Sequence, residues 1–258
     1  MLHKSWTPIA DARRSIAARF QQVAGPQRGG LLAALVLGGA QVQLPAELRE
    51  AFRVAGLSHA LAASGFHLSV VLGAVLAVAR GVSRPLRVSL GCCALLLFLT
   101  LAGGQPSVVR AVLMGATALL IRESDQRSRG AGVLLLTLIL MLLIRPDWAH
   151  SVGFQLSAAA TAGLTLSAPG LEQQLLRCCP SRMGWLASAI AVSWAALIWT
   201  LPLQLLHFGS TPLYALVANL LAAPLLAPLT LSAMGLAVVA LLVPHPLLVG
   251  LSLSLIHI

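Results

Sequence analysis

The sequence predicts an all-α helical bundle integral to a membrane, with about seven or eight membrane segments, one of them re-entrant. Hydrophobic residues fill 58% of the 258 positions and charged residues only 9%, too few to cover the surface of a soluble domain of this length. From residue 56 onward apolar runs follow one another, separated by short polar turns, and the mean hydropathy of the chain is +0.90. The arginines of those turns gather on alternate ones, as they do in polytopic membrane proteins.

The chain opens on Ile9, Ala12, Ile16, Phe20 and Val23, three and four residues apart, with Arg13, Arg14 and Arg19 between them. That spacing predicts an amphipathic helix, a basic lead over 1–28 lying on the membrane surface. Its charges are spread, with no apolar core directly behind them, so it does not read as a signal peptide. Gly25-Pro26 and Gly29-Gly30 are expected to break it. Leu31 to Leu37 is apolar but too short to cross alone, and Gly38-Gly39 interrupts it. Pro45 to Arg53 reads as a charged helix or loop at an interface.

The membrane region is expected over 29–243, with spans near 57–79, 86–104, 106–121, 131–144, 148–168 and 185–206. A long apolar tract, 213–243, follows, in which Pro224 and Pro228 mark a break between a re-entrant piece and a span. The remaining apolar tail, 244–258, is expected to be truncated, and its last residues, SLSLIHI, look like translated sequencing-adapter read-through. Arg80, Arg84 and Arg87 follow the first span, Arg122, Arg127 and Arg129 the third, and Arg177 and Arg182 the fifth, whereas Arg145 stands alone on the alternate side. The positive-inside rule makes 80–87, 122–129 and 169–184 cytoplasmic and 207–212 external. The excess of 17 basic over 7 acidic residues has the same source, with an anionic substrate the second explanation.

Four cysteines form the pairs Cys92/Cys93 and Cys178/Cys179, without metal-binding spacing. Cys92 and Cys93 are expected to pack within their apolar run, and Cys178/Cys179 to fall in a cytoplasmic loop.

Polar residues inside the apolar runs are the functional candidates, because such groups are costly at membrane depth. GLSHALAASGFHLSV, residues 56–70, brings His59, Ser64 and His67. Ser64 and His67, three apart, share a helix face, while His59 lies about two turns from His67 along a regular helix. No carboxylate sits nearby to orient either ring and Gly-x-Ser-x-Gly is absent, so interhelical hydrogen bonding and a polar pore lining both stand ahead of catalysis. Gln105 and Ser107 open the third span, and Arg110 follows three residues after Ser107. Arg110 either snorkels to the headgroups or faces a water-filled path and meets an anion such as phosphate. Gln155, His207 and Asn219 each admit a simple packing reading, and their number is more telling than any one of them.

AGLSHALAASGFHLSVV, GGQPSVVRAVLMG, DWAHSVGFQLSAAATAGL and PLQLLHFGSTPLYALVANLLAAP resemble, in this order, the conserved blocks of the ComEC family, channels of bacterial DNA uptake. The resemblance covers roughly Leu31 to Leu242 and implies a multi-pass domain of the bacterial inner membrane that passes single-stranded DNA into the cytoplasm during natural transformation. It implies DNA, membrane lipid and other competence proteins, a separate ATPase among them, as partners. It draws attention to His59, Ser64, His67, Gln105, Ser107, Arg110, Gln155, His207 and Asn219 without placing any of them on DNA. Members of that family often carry a soluble nucleic-acid-binding module and a metallo-β-lactamase-like module. The short basic lead leaves no room for the first, and no His-x-His-x-Asp-His motif marks the second. With no Walker phosphate loop either, the expectation is a non-enzymatic channel without cofactor or metal. A small-solute or lipid transporter, or a truncated structural membrane subunit, is the alternative.

Overall fold

The computed structural model describes residues 7–39, 41–123, 129–178, 183–211 and 214–242, and every long element among them is helical. In chain order the helices are α1 (Thr7–Leu37), α2 (Ala46–Val54), α3 (Ser58–Leu61), α4 (Gly65–Val78), α5 (Arg84–Ala102), α6 (Pro106–Glu123), α7 (Gly130–Ile144), α8 (Val152–Leu166), α9 (Ala168–Cys178), α10 (Gly184–Phe208) and α11 (Ala215–Leu242). The tail 244–258, Arg127, Cys179 and Arg182 lie outside the described residues.

The lead folds back on itself. Within α1, Gly25 takes φ 79° and ψ 168°, open to a residue without Cβ, and Pro26 then starts a second arm with no N–H to satisfy. A Cβ at Gly29 would sit 2.1 Å from the Phe20 carbonyl oxygen. Nine residues of straight helix would separate those positions by roughly 13 Å, so the chain reverses between them. Gly29 and Gly30, expected as a second break, instead lie inside the second arm, at the closest approach to the first. Ile16 and Phe20 are buried against Leu32 to Leu37 and against Ala233, Leu236 and Ala237 of α11. The arms stay together to the open end, where Arg13 Nη1 donates to Gln41 Oε1 at 3.4 Å.

The expected regular helix over 57–79 is corrected. α3 ends at Leu61, Ala62 and Ser64 are extended, and α4 starts at Gly65. Non-helical backbone at membrane depth needs protein partners, and this break has them. Gly39 N–H donates to the Leu61 carbonyl at 2.6 Å, and the Ser107 hydroxyl to the Ala63 carbonyl at 3.3 Å. Gly38, at φ 86°, lies against Ala63 so closely that a Cβ there would approach the Ala63 Cβ to 3.1 Å.

α4, α5 and α6 pack through Leu68, Leu72, Leu95, Phe98, Val108 and Leu119. At the arginine-rich end Arg87 grips both carboxylate oxygens of Glu123, at 2.8 and 2.6 Å, and holds that carboxyl below its ordinary range. α8 and α10 meet through small residues: a Cβ at Gly163 would stand 2.6 Å from the Ala195 carbonyl, and Ala187, Ala191 and Ala195 are buried at four-residue spacing. The stretch 169–184, expected as a loop, holds most of α9, with Glu172 accepting a short hydrogen bond from Ser188 of α10.

Among the described residues two helices, α5 and α10, are long and apolar enough to cross a membrane. A third is added if Ala215–Ala222 and Pro224–Val238, bent by 55° at the first of the two prolines, with Pro228 inside the second piece, form one span. α4, α7 and α8 are apolar but of only 14 or 15 residues. Cys92 and Cys93 are exposed, contrary to the packing expected of them, on a face of α5 that also carries Leu90, Leu96 and Leu97. Helix periodicity, not side-chain type, sets that face.

Candidate functional site

The break before Gly65 gathers polar groups in an apolar bundle. Ser64, the last extended residue, shares a 3.1 Å hydrogen bond with Nδ1 of His67, three residues on, from the position before the helix rather than from the helix face expected of it. His67 is only 1% exposed, and its Nε2 has no partner among the described residues. With no Cβ at Gly65, α6 can come close: a side chain there would begin 3.6 Å from Arg110 Nη2. Ser107, one turn earlier on the same face of α6, holds the Ala63 carbonyl. Gln105 lies half-buried just before that helix, its carbonyl accepting from the amides of Val108 and Val109.

Arg110 is 8% exposed. Its Nη1 donates a short bond to the Ser157 carbonyl on α8, while its Nε and the Ser157 hydroxyl have no partner among the described residues. No carboxylate among the described residues pairs with it; Asp11 pairs with Arg14, Glu50 with Arg53, and Glu123 with Arg84 and Arg87. A buried guanidinium without an acid carries a desolvation penalty of several kcal/mol by general magnitude. Such a group suits a ligand that arrives with negative charge. Snorkelling would place the head in water, and here the head is inside the bundle.

His59 sits on the exposed surface of α3, across the break. Its distance from His67 is set by that break rather than by two helical turns. Among the described residues no three metal-ligating side chains stand together.

A second pair closes α8 against α10. His207 Nε2 donates to Gln155 Oε1 at 2.7 Å, and Gln155 Nε2 donates to the Ala149 carbonyl at 2.8 Å, both at the exposed rim. Asn219, one turn into α11, is bonded to neither group; among the described residues its buried Oδ1 has no partner, nor has the hydroxyl of Thr230 further along. The structure thus brings together Ser64, His67, Ser107 and Arg110, pairs Gln155 with His207, and leaves His59, Gln105 and Asn219 outside these bonds. Gly38, Gly39, Ala63 and Ser157 belong to the site and are not evident from sequence. The pairing of Gly-Gly with a later Ser-Gly is the signal that marks two chain breaks able to meet.

A family model described as Competence protein matches residues 35–258. The chain is 28% identical to ComE operon protein 3 of Bacillus subtilis over 84% of its own length and 27% of that protein. It is 28% identical to the uncharacterized protein YcaI of Escherichia coli, over 78% of this chain and 29% of the other. A third relative, an uncharacterized protein of Aquifex aeolicus, is 30% identical, over 76% of this chain and 43% of its own. The chain thus spans less than half of each of these relatives. No solved structure matches it.

Proposed function

The chain belongs to the competence protein family, and on that footing we propose that it forms a channel domain carrying single-stranded DNA into the cytoplasm during natural transformation. Arg110 carries this reading: a buried guanidinium with an unspent donor and no acid beside it suits a phosphate passing along the bundle. Ser64 and His67 supply neutral hydrogen bonding at the broken helix, where transporters and channels place ligand sites. We assign no catalysis to the pair, because among the described residues no third group bonds His67 Nε2, as a held base would need. DNA and membrane lipid are the partners proposed, with other competence proteins, a separate ATPase among them, providing the drive.

The domain then lies in the inner membrane as a multi-pass bundle of about seven or eight segments. The 14- and 15-residue helices α4, α7 and α8 reach roughly 21–23 Å and cross with their flanking turns or where the bilayer thins. Orientation follows from the arginine side. With the native cysteines replaced, a cysteine at Ser83 is expected to resist an impermeant thiol reagent added outside, and one at Ser210 to react. Reaction at Ser83 alone would invert the topology.

Uptake into proteoliposomes tests the function, using labelled single-stranded DNA beside a panel of small solutes. DNA is expected to enter; entry of a solute with DNA excluded would establish a small-solute transporter instead. His67→Gln, which keeps a donor and an acceptor, is expected to retain substantial uptake, and His67→Leu to lose most of it. Equal loss in both would argue for a chemical role of the imidazole, and wild-type uptake by His67→Leu would leave the residue to packing.

A further inference from the structure

Arg84 and Arg87 at the start of α5 and Arg122 and Glu123 at the end of α6 line a cavity of about 210 Å³. Glu123 is buried, 7% exposed, and both its oxygens are occupied by Arg87. Arg84 reaches the same carboxylate only at 3.9 Å, with 58% of its side chain exposed, and Arg122 is exposed. Among the described residues three guanidiniums thus face one carboxylate, a formal charge of +2, and the grip of Glu123 on Arg87 leaves the outer two turned to the surroundings. The adjoining turns expose Leu86 and Leu90 on α5 and Leu120 on α6. A ligand for this place has an anionic head for the arginines and an apolar body for the leucines. A polynucleotide would meet the charges and leave the leucines bare.

We propose that this cavity holds the phosphate of an anionic membrane lipid, with Arg84 and Arg122 on the phosphate and the acyl chains along Leu86, Leu90 and Leu120. Arg87 and Glu123 act as the brace that keeps α5 and α6 at the spacing the headgroup needs. The site lies at the opposite end of α6 from Arg110 and does not depend on the strand path.

Native mass spectrometry of the full chain, carried in micelles doped with phosphatidylglycerol or phosphatidylcholine of matched acyl length, tests it. Wild type is expected to retain phosphatidylglycerol selectively. The double variant Arg84→Gln/Arg122→Gln, altered only at exposed positions and checked for native helix content by circular dichroism, should lose about tenfold in occupancy. Arg84→Lys/Arg122→Lys should recover part of it, because the charge survives without the planar fork. Equal retention by the Gln variant, or equal retention of the two lipids, overturns the proposal. Low-millimolar inorganic phosphate that displaces the lipid would assign the cavity to free phosphate instead, and displacement by a short single-stranded oligonucleotide would assign it to the strand path; either result overturns the lipid assignment.

Discussion

Arg110→Ala is expected to lower single-stranded DNA uptake by about tenfold to a hundredfold, the equivalent of losing one charge-assisted contact of about 1.5–3 kcal/mol. The protein should still be present at its normal level. Removing one member of a buried ion pair usually strands the other, but Arg110 has no acid partner among the described residues to strand. Arg110→Met, close in volume, is therefore expected to match or exceed the wild type in thermal stability while failing in uptake. Arg110→Lys should recover part of the activity, since a point charge remains but the planar fork that donates to the Ser157 carbonyl does not. Uptake rates in proteoliposomes and unfolding temperatures in micelles separate the two effects. Full uptake by the alanine variant would make Arg110 a structural residue and remove the main support for the channel reading.

Gly29→Ala is expected to destabilise the fold by about 1–3 kcal/mol, and Gly29→Val by more. A Cβ has no rotamer to escape by, and here it would land 2.1 Å from the Phe20 carbonyl oxygen and 2.6 Å from the Gln21 Cα, so the two arms of α1 must part. Parting them opens the core around Ile16 and Phe20, and with it the seat of α11. Gly132→Ala is the control: that glycine lies in α7 with nothing within 4 Å, so alanine there should stabilise by about 0.5–1 kcal/mol through helix propensity. Unfolding of both variants in the same micelles gives the comparison. A Gly29→Ala protein as stable as Gly132→Ala would mean that the reversal at Gly25 is not closed as described.

The helices were legible because membrane partitioning is a sum over consecutive residues, so an apolar run declares itself without knowledge of its neighbours. α5, α6, α7 and α10 fall within a few residues of the spans read for them, and the bend in α11 falls at Pro224, while Pro228 sits within the helix that follows. The nearness of Ser64 to His67 was legible from their separation of three, though Ser64 reaches His67 from the extended residue before α4 and not from within a helix.

Contacts between segments distant in the chain were not legible. An amphipathic pattern records that one face of α1 is apolar, and a membrane surface or a second arm satisfies it equally well; only the approach of Gly29 to Phe20 decides for the arm. Likewise the break at Ala62 to Ser64 sits in a run whose composition would carry a helix through. It is held open by Gly39 and Ser107, which bond its carbonyls from 22 and 44 residues away in sequence. Arg110 was a candidate from its residue type alone, but whether its charge reaches water or stays inside was set by α8, through the Ser157 carbonyl. Local free energies of transfer and helix formation wrote the elements into the sequence, whereas the site depends on which backbone groups those elements leave for one another.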